Sequence, residues 1–465
     1  MKFYSASNVA GSHWHRFLAL VFLCGFLPAC ATRPVVREVA LPIPAASLPD
    51  TVESHEFTAN KEDSVIGELA SVPVRAGDTL ADIARHFGLG FQEISGANPG
   101  IQPWTPEPET RVILPLQFIL PDAPRKGIVI NLAAMRLFYF PGGTKSFRVV
   151  TYPAGIGKEG RSTPTGQMLV ERKTARPTWY VPESIRKDHQ EKGDPLPASV
   201  PPGPDNPLGD YAMYLSKPSY LIHGTNKPYS IGFRASNGCI RLYPENIDKL
   251  YNRVPEKTPV TVVNQPYLTG WRQGVLYLEA YPPHEEMDDK QVKKNLLAKL
   301  KQIEKKQRRK LDWAKIEETL AQARGIPVPI FEYTDNLNAV LAKAVLLEHP
   351  MRLYGQPETP KWAEAGWYVK AAETNDEIRA RRLAAMLNHQ GPRIPARVVV
   401  QGGRYQVLAG PFTDAKATKT MAKRMAIDLD LKGEIINPGV RLSMNGATEP
   451  TRIKSRIKWR EAERP

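Results

Sequence analysis

The spacing of hydrophobic residues changes several times along the chain, and each change marks a segment. An apolar run from Phe17 to Ala29 follows Lys2, His13, His15 and Arg16; it is too short to span a bilayer and has the size of a signal-peptide core. After a linker over 31–71, residues Leu80, Ile83, Ala84 and Phe87 recur at helical spacing behind Asp78 and Thr79, either of which suits an N-cap. With Phe91 to Ile94 and Val112 to Pro115 they predict strand, helix, helix, strand over 72–115. From Lys126 the pattern becomes β-rich: Gly127 to Leu132 and Arg136 to Pro141 read as strands joined by a short turn, and Val260 to Asn264 closes a strand-rich domain over 124–266. Its Pro-rich insert from Asp194 to Asp210 predicts a loop or lid. Between Lys290 and Lys310, Val292, Leu296, Leu297, Leu300 and Ile303 fall on one face of a helix, within a basic helical connector over 286–325. Over 365–440 the order is strand, helix, strand, strand, helix, strand, a split βαβ arrangement, and a basic tail fills 441–465.

Composition narrows the class of protein. At 465 residues the chain has room for about three domains, and an ordinary charged and apolar content excludes both a disordered polyampholyte and a polytopic membrane protein. Its 43 prolines imply extended connections that act as semi-rigid spacers. The net charge of +15 fits nucleic acid, an anionic membrane surface or an anionic wall polymer, and charge alone does not choose among them. The basic helix is either a solvated connector or a surface for anionic lipids and polymers. No nucleic-acid motif accompanies the charge, and an exported protein rarely meets nucleic acid.

Two of the three cysteines, Cys24 and Cys30, lie in or at the end of the leader, so the folded part holds one thiol, Cys239. A lone thiol in an oxidising compartment is exposed to damage and asks for a reason beyond packing. Nucleophilic use of a cysteine needs a base, a group that orients the base, and N–H groups aimed at a developing oxyanion. His223 ends a strand-like run, Ser219 to Ile222. Gly238 beside Cys239 permits the sharp turn that presents a side chain with its N–H groups converging.

The string from His223 to Leu242, HGTNKPYSIGFRASNGCIRL, resembles the active-site signature of the L,D-transpeptidases, whose YkuD-like domain crosslinks bacterial peptidoglycan. Ser162-Thr163-Pro164-Thr165-Gly166 is similar to the T-P-x-G segment of that family. The resemblance implies a β-sandwich catalytic domain with Cys239 as nucleophile, His223 as base, and Ser236 and Gly238 as the turn beside the oxyanion. It also implies that Arg241, Gly224, Thr225 and Asn237 touch substrate, with Arg241 suited to a carboxylate. Many members have His where this chain has Asn237. Gly77-Asp78-Thr79-Leu80 and its surroundings resemble LysM, a glycan-binding module, and Tyr405 to Phe412 resembles SPOR domains, which bind glycan strands stripped of peptides. Leu27-Pro28-Ala29-Cys30 resembles a lipobox, implying lipidation at Cys30 and an outer-membrane lipoprotein facing the periplasm; an ordinary signal peptide is the alternative.

The function these resemblances imply is transfer of a tetrapeptide stem through a cysteine acyl-enzyme. The acceptor is a neighbouring stem or a lysine of a wall-anchored lipoprotein, and neither a metal nor an organic cofactor is required. The expected partners are peptidoglycan stems and glycan strands, and the membrane through an N-terminal lipid. Hydrolysis of the stem, or a non-catalytic scaffold, are the alternatives.

Overall fold

The computed structural model describes residues 55–438 apart from 61, 143–146, 362, 364 and 365. Cys24, Cys30 and the tail 441–465 lie outside the described residues. No helix among the described residues is long and apolar enough to cross a membrane.

A nine-stranded sheet forms the catalytic domain. In spatial order its strands are His55–Ala59, Phe147–Pro153, Arg136–Phe140, Gly127–Asn131, Pro259–Val263, Gly166–Ala175, Tyr211–Leu215, Leu221–His223 and Ile240–Arg241. Neighbours are antiparallel except Pro259–Val263 on Gly127–Asn131 and Ile240–Arg241 on Leu221–His223. The strands Gly127–Asn131 and Arg136–Phe140 are buried at every position, which is why they read as continuous apolar runs rather than alternating ones. Successive side chains point to opposite faces of a strand. Ile128, Ile130, Leu137 and Tyr139 accordingly join the core of the catalytic domain. Val129, Phe138 and Phe140 share a second core with Val72, Leu80, Ile83 and Phe87 of the N-terminal module.

That module has the expected order, with strands Ala70–Pro73 and Arg111–Leu114 flanking helices Leu80–His86 and Phe91–Ala97. Thr79 caps the first helix by accepting from the Asp82 N–H. Two ion pairs join the module to the catalytic domain, one at the sheet and one at the helix Pro244–Arg253. Arg136, fully buried, donates from Nε and Nη2 to Glu93 at 2.8 and 2.7 Å, and also to the Gly88 carbonyl and Thr151 Oγ1. Arg85 forks onto Glu245 at 2.9 and 3.0 Å.

Three sequence expectations change here. The described part of the stretch read as a linker carries strands: His55–Ala59 extends the main sheet, and Val65–Gly67 pairs with Gln117–Ile119. These short strands lack the repeated alternation that a sequence pattern needs. The stretch read as a basic connector is part of a packed unit, in which helices Asp289–Gln307 and Trp313–Gln322 place Leu296, Leu300, Ile316 and Leu320 against the sheet of Tyr267–Arg272, Val275–Ala280 and Val328–Pro329. The helix face expected to be apolar is the packed one, so its basic residues face outward. Finally, the modules do not hang on spacers. The C-terminal domain has the predicted β-α-β-β-α-β order, with its sheet ordered Ala396–Gln401, Arg404–Phe412, Trp367–Thr374, Glu434–Ile436. Its His389 is buried against the N-terminal module, 2.9 Å from Asp82 and edge-on to Trp104 and Tyr229.

Burial sets the pH range of stability. Glu279 is 1% exposed, and burial pushes its carboxyl up to about 8 although it accepts from the Tyr281 hydroxyl and the Ile119 N–H. His55 and His86 are pulled down to about 4, chiefly by burial. In the unfolded chain the carboxyl ionises near its ordinary value while the folded one stays protonated, so Glu279 costs stability as pH rises from about 4.5 to 8. The histidines act oppositely: the unfolded chain binds their protons first, and stability falls as pH drops from about 6.5 towards 4. Glu279→Gln is therefore expected to flatten the decline in melting temperature between pH 5 and 8 and to leave the acid decline unchanged, as read by thermal unfolding across that range. Arg136→Met strands Glu93 in the core and is expected to destabilise by about 3–5 kcal/mol in denaturant titration. Adding Glu93→Leu is expected to restore most of that loss.

Candidate functional site

His223 and Cys239 reach one place because their strands pair. Leu221–His223 and Ile240–Arg241 run parallel, with Ile222 opposite Ile240 and His223 opposite Arg241, so Cys239 enters at the head of its strand two pairs from the histidine. A parallel pair needs a crossover. Here residues 224–239 supply it, and the N-terminal module supports it. The carbonyls of Ile231 and Gly232 accept from the Phe91 and Gln92 N–H groups, donors that the first turn of a helix leaves without intrahelical partners. Phe233 stacks on Phe91 at 4.6 Å between ring centres.

The turn into Cys239 is held by side-chain hydroxyls. Gly238 has φ of +105°, and a Cβ there would lie 2.8 Å from the Tyr220 ring, so only glycine fits. Ser236 Oγ donates to the Cys239 carbonyl at 2.6 Å and accepts from the Gly238 N–H at 3.1 Å. Thr163 Oγ1 donates to the Gly238 carbonyl at 2.8 Å and accepts from the Gly157 N–H at 3.0 Å. The Gly238 N–H is thus occupied by Ser236. The Asn237 side chain accepts from Arg161, which also pairs with Asp188 at 2.6 Å.

His223 is buried, and its Nδ1 lies 2.6 Å from the Gly224 carbonyl. A carbonyl can only accept, so Nδ1 carries the hydrogen and Nε2 keeps the lone pair. Burial, then the Arg241 charge, pulls the imidazole down to about 3, so it is neutral at ordinary pH. The Cys239 thiol is half-buried and donates to the Ser219 carbonyl at 3.5 Å. Burial pushes it up, while a backbone hydrogen bond at Leu221 and the Arg241 charge draw it partway back. In the resting structure the thiol and the imidazole are thus each favoured in the neutral form, and the hydrogen bonds they make are to backbone carbonyls. Arg241 is itself desolvated, has no ion-pair partner among the described residues, and leaves Nε buried without a hydrogen bond.

Thr225 and Asn237 line a cavity of about 750 Å³ together with Arg241. Gly224 serves through its carbonyl on His223, whereas the Thr225 hydroxyl accepts from the Lys227 N–H. The Pro-rich insert forms a wall of this cavity through Asp194, Leu196, Val200, Asp205 and Pro207. It is pinned by Asn206, fully buried, whose amide donates to the carbonyls of Pro177, Val200 and Pro201 while its oxygen accepts from the Leu208 N–H. Sequence reasoning gave Arg161 and Asn206 no role, since neither belongs to a motif; Thr163 had a signal in its Thr-Pro-x-Gly segment. No group of three or more His, Cys, Asp or Glu among the described residues could hold a metal ion.

Alkylation of Cys239 by iodoacetamide is expected to rise with a midpoint above the ordinary thiol value and to show no inflection near pH 6.5. A plateau at neutral pH, the mark of a stable thiolate–imidazolium pair, would contradict the neutral assignment.

Comparison with known proteins agrees with this geometry. Family models match over residues 125–262 (L,D-transpeptidase catalytic domain), 73–115 (LysM domain) and 363–437 (SPOR domain). The chain is 37% identical over 275 residues to the probable L,D-transpeptidase ErfK/SrfK of Salmonella typhimurium, spanning 57% of this chain and 87% of that protein. It is 42% identical over 219 residues to the probable L,D-transpeptidase YcfS of Escherichia coli, spanning 46% and 68%. To the putative L,D-transpeptidase YkuD of Bacillus subtilis it is 31% identical over 197 residues, spanning 42% and 99%. The LysM and SPOR domains indicate peptidoglycan binding. A strand-rich domain that brings His223 and Cys239 onto paired strands, in a chain with relatives of this similarity and coverage, belongs to the L,D-transpeptidase family.

Proposed function

We propose that this L,D-transpeptidase works on tetrapeptide stems of peptidoglycan through a thioester on Cys239. His223 Nε2 takes the thiol proton as Sγ attacks the carbonyl of the third stem residue. The amide bond to the terminal D-Ala then breaks, and the imidazolium returns the proton to the departing amine. An acceptor amine next attacks the thioester, forming the new C–N bond as the C–S bond breaks, and its proton passes through His223 to the thiolate. The Cys239 N–H stabilises the oxyanion in each half; such a donor is worth about 10²–10³ in rate. Ser236, Thr163 and Gly238 position the turn, and Gly224 holds the tautomer of His223.

The observation that carries this reading is Arg241. A desolvated guanidinium with no acidic partner among the described residues, two positions from the nucleophile, matches a substrate carboxylate. The acceptor is a neighbouring stem or the lysine of a wall-anchored lipoprotein. The leader sequence supports export to the periplasm, with acylation of Cys30 as the outer-membrane anchor.

Incubation of the soluble protein with a disaccharide tetrapeptide, followed by mass spectrometry, is expected to give a crosslinked dimer with loss of D-Ala. Cys239→Ala is expected to be folded and inert, and a carbapenem is expected to add one drug mass to the wild type only. Tripeptide alone would indicate a carboxypeptidase, and unchanged substrate would overturn the enzymatic reading.

A further inference from the structure

The SPOR domain lies against the cavity that Asn237 and Arg241, the neighbours of Cys239 in sequence, help to line. Thr420, Lys423, Arg424, Ile427 and Asp428 are spaced i, i+3, i+4, i+7, i+8, one face of the helix Ala415–Leu429, and all five line the same 750 Å³ cavity as Asn237 and Arg241. The fit between the domains is close. Gly391, before the last turn into the SPOR strand Ala396–Gln401, is buried, and a Cβ there would lie 2.6 Å from the Asn226 carbonyl oxygen and 2.6 Å from the Lys227 side chain, in the loop that follows His223. Charges from both domains act on one another across the cavity: the Lys227 ammonium feels Asp428 and Arg424 of the SPOR helix, and Arg241 and Asp194 of the catalytic domain.

Two features separate a binding wall from a plug. A domain that closed the site would fill it, yet the space left is within the roughly 300–1,000 Å³ typical of ligand sites. Three polar atoms on its lining residues, Asn226 Oδ1, Ser230 Oγ and Arg241 Nε, are buried with no hydrogen-bond partner. Buried polar groups are ordinarily paired, so the lining residues hold unmet hydrogen-bonding capacity beneath the cavity surface.

We propose that this face of the SPOR helix is part of the active site and binds the acyl acceptor, a peptide stem whose amino-acid end carries an ammonium beside a carboxylate. The inference rests on the acyl-transfer reading above. The donor is fixed covalently at Cys239, and Arg241 answers its carboxylate. The other charges on the lining are of both signs: Lys423 and Lys227 suit the carboxylate of the second substrate, and Asp428 and Asp194, which now face Arg424 at 3.4 Å and His189 at 3.2 Å, can also accept from its ammonium. A neutral glycan or a purely anionic polymer would need only part of that set. The catalytic domain alone therefore supplies the acylation half of the reaction, and the SPOR helix completes the transfer half.

The test uses the full chain with a sugar-free tripeptide stem ending in diaminopimelate, labelled at its N-terminus. This peptide lacks the terminal D-Ala and serves only as acceptor. Its binding to the Cys239→Ala protein, followed by fluorescence anisotropy, is expected to weaken about tenfold in Lys423→Ala/Asp428→Asn and in the wedge variant Gly391→Leu. Lys419→Ala, on the same helix but outside the cavity lining, is expected to leave binding unchanged. In the Cys239-containing protein, the yield of crosslinked dimer is expected to fall in Lys423→Ala/Asp428→Asn and in Gly391→Leu, while Lys419→Ala is expected to keep both the dimer yield and the rate of carbapenem adduct formation within twofold of the wild type. Unchanged acceptor binding in both Lys423→Ala/Asp428→Asn and Gly391→Leu would overturn the proposal. Absence of any carbapenem adduct in the wild type would instead count against the acyl-enzyme, with the binding titration still deciding the role of the helix.

Discussion

The buried pair of Arg136 and Glu93 constrains everything else in the molecule. A guanidinium taken wholly out of water is tolerable only when its donors are satisfied, and here Glu93, Gly88 and Thr151 satisfy them in a fixed geometry. Two of these partners belong to the LysM domain and one to the catalytic sheet, so the pair sets the position of one domain on the other. The shared apolar core beneath it, from Leu80 and Phe87 to Phe138 and Val149, supplies the bulk of the attraction. The ion pair contributes register and orientation, because no other placement of the LysM domain leaves Arg136 satisfied.

The active site inherits that constraint. The second LysM helix, held by Glu93, turns its first N–H groups onto Ile231 and Gly232 in the crossover between His223 and Cys239. A crossover of this length would otherwise be free to move, and Cys239, the proposed nucleophile, sits at its end. The hydroxyls of Ser236 and Thr163 then fix the last few residues. The LysM domain is thus a structural support of the reacting turn as well as a wall-binding module, and the chemistry and the glycan contact belong to one body.

Burial around the dyad decides how it works. Both groups are desolvated, so a standing thiolate and imidazolium are unfavourable, and in the proposed mechanism the proton moves only when a substrate brings the developing charge to Arg241 and the Cys239 N–H. A neutral thiol is also less open to oxidation than a standing thiolate. In the periplasm proposed for this enzyme, where a lone cysteine is at risk, that is a useful property.

Most of the elements, and the family, were legible in the sequence alone. Helical spacing at Leu80, Ile83, Ala84 and Phe87, apolar runs at Gly127 and Arg136, the split βαβ order of the C-terminal domain, and the His223 to Leu242 motif are local patterns, fixed by which neighbours a residue can reach within one strand or one helix. Short strands such as His55–Ala59 escaped, because five residues of an edge strand carry too little periodicity to stand out. Only the tertiary structure decided that Arg136 is a buried weld, that Asn206 pins the insert, that Asn237 is held by Arg161, and that the SPOR helix faces the cavity lined by Arg241. Each of these joins residues far apart in the chain. Their partners are chosen by the fit of surfaces that exist only after the elements have formed, and no pattern within a single segment records that fit.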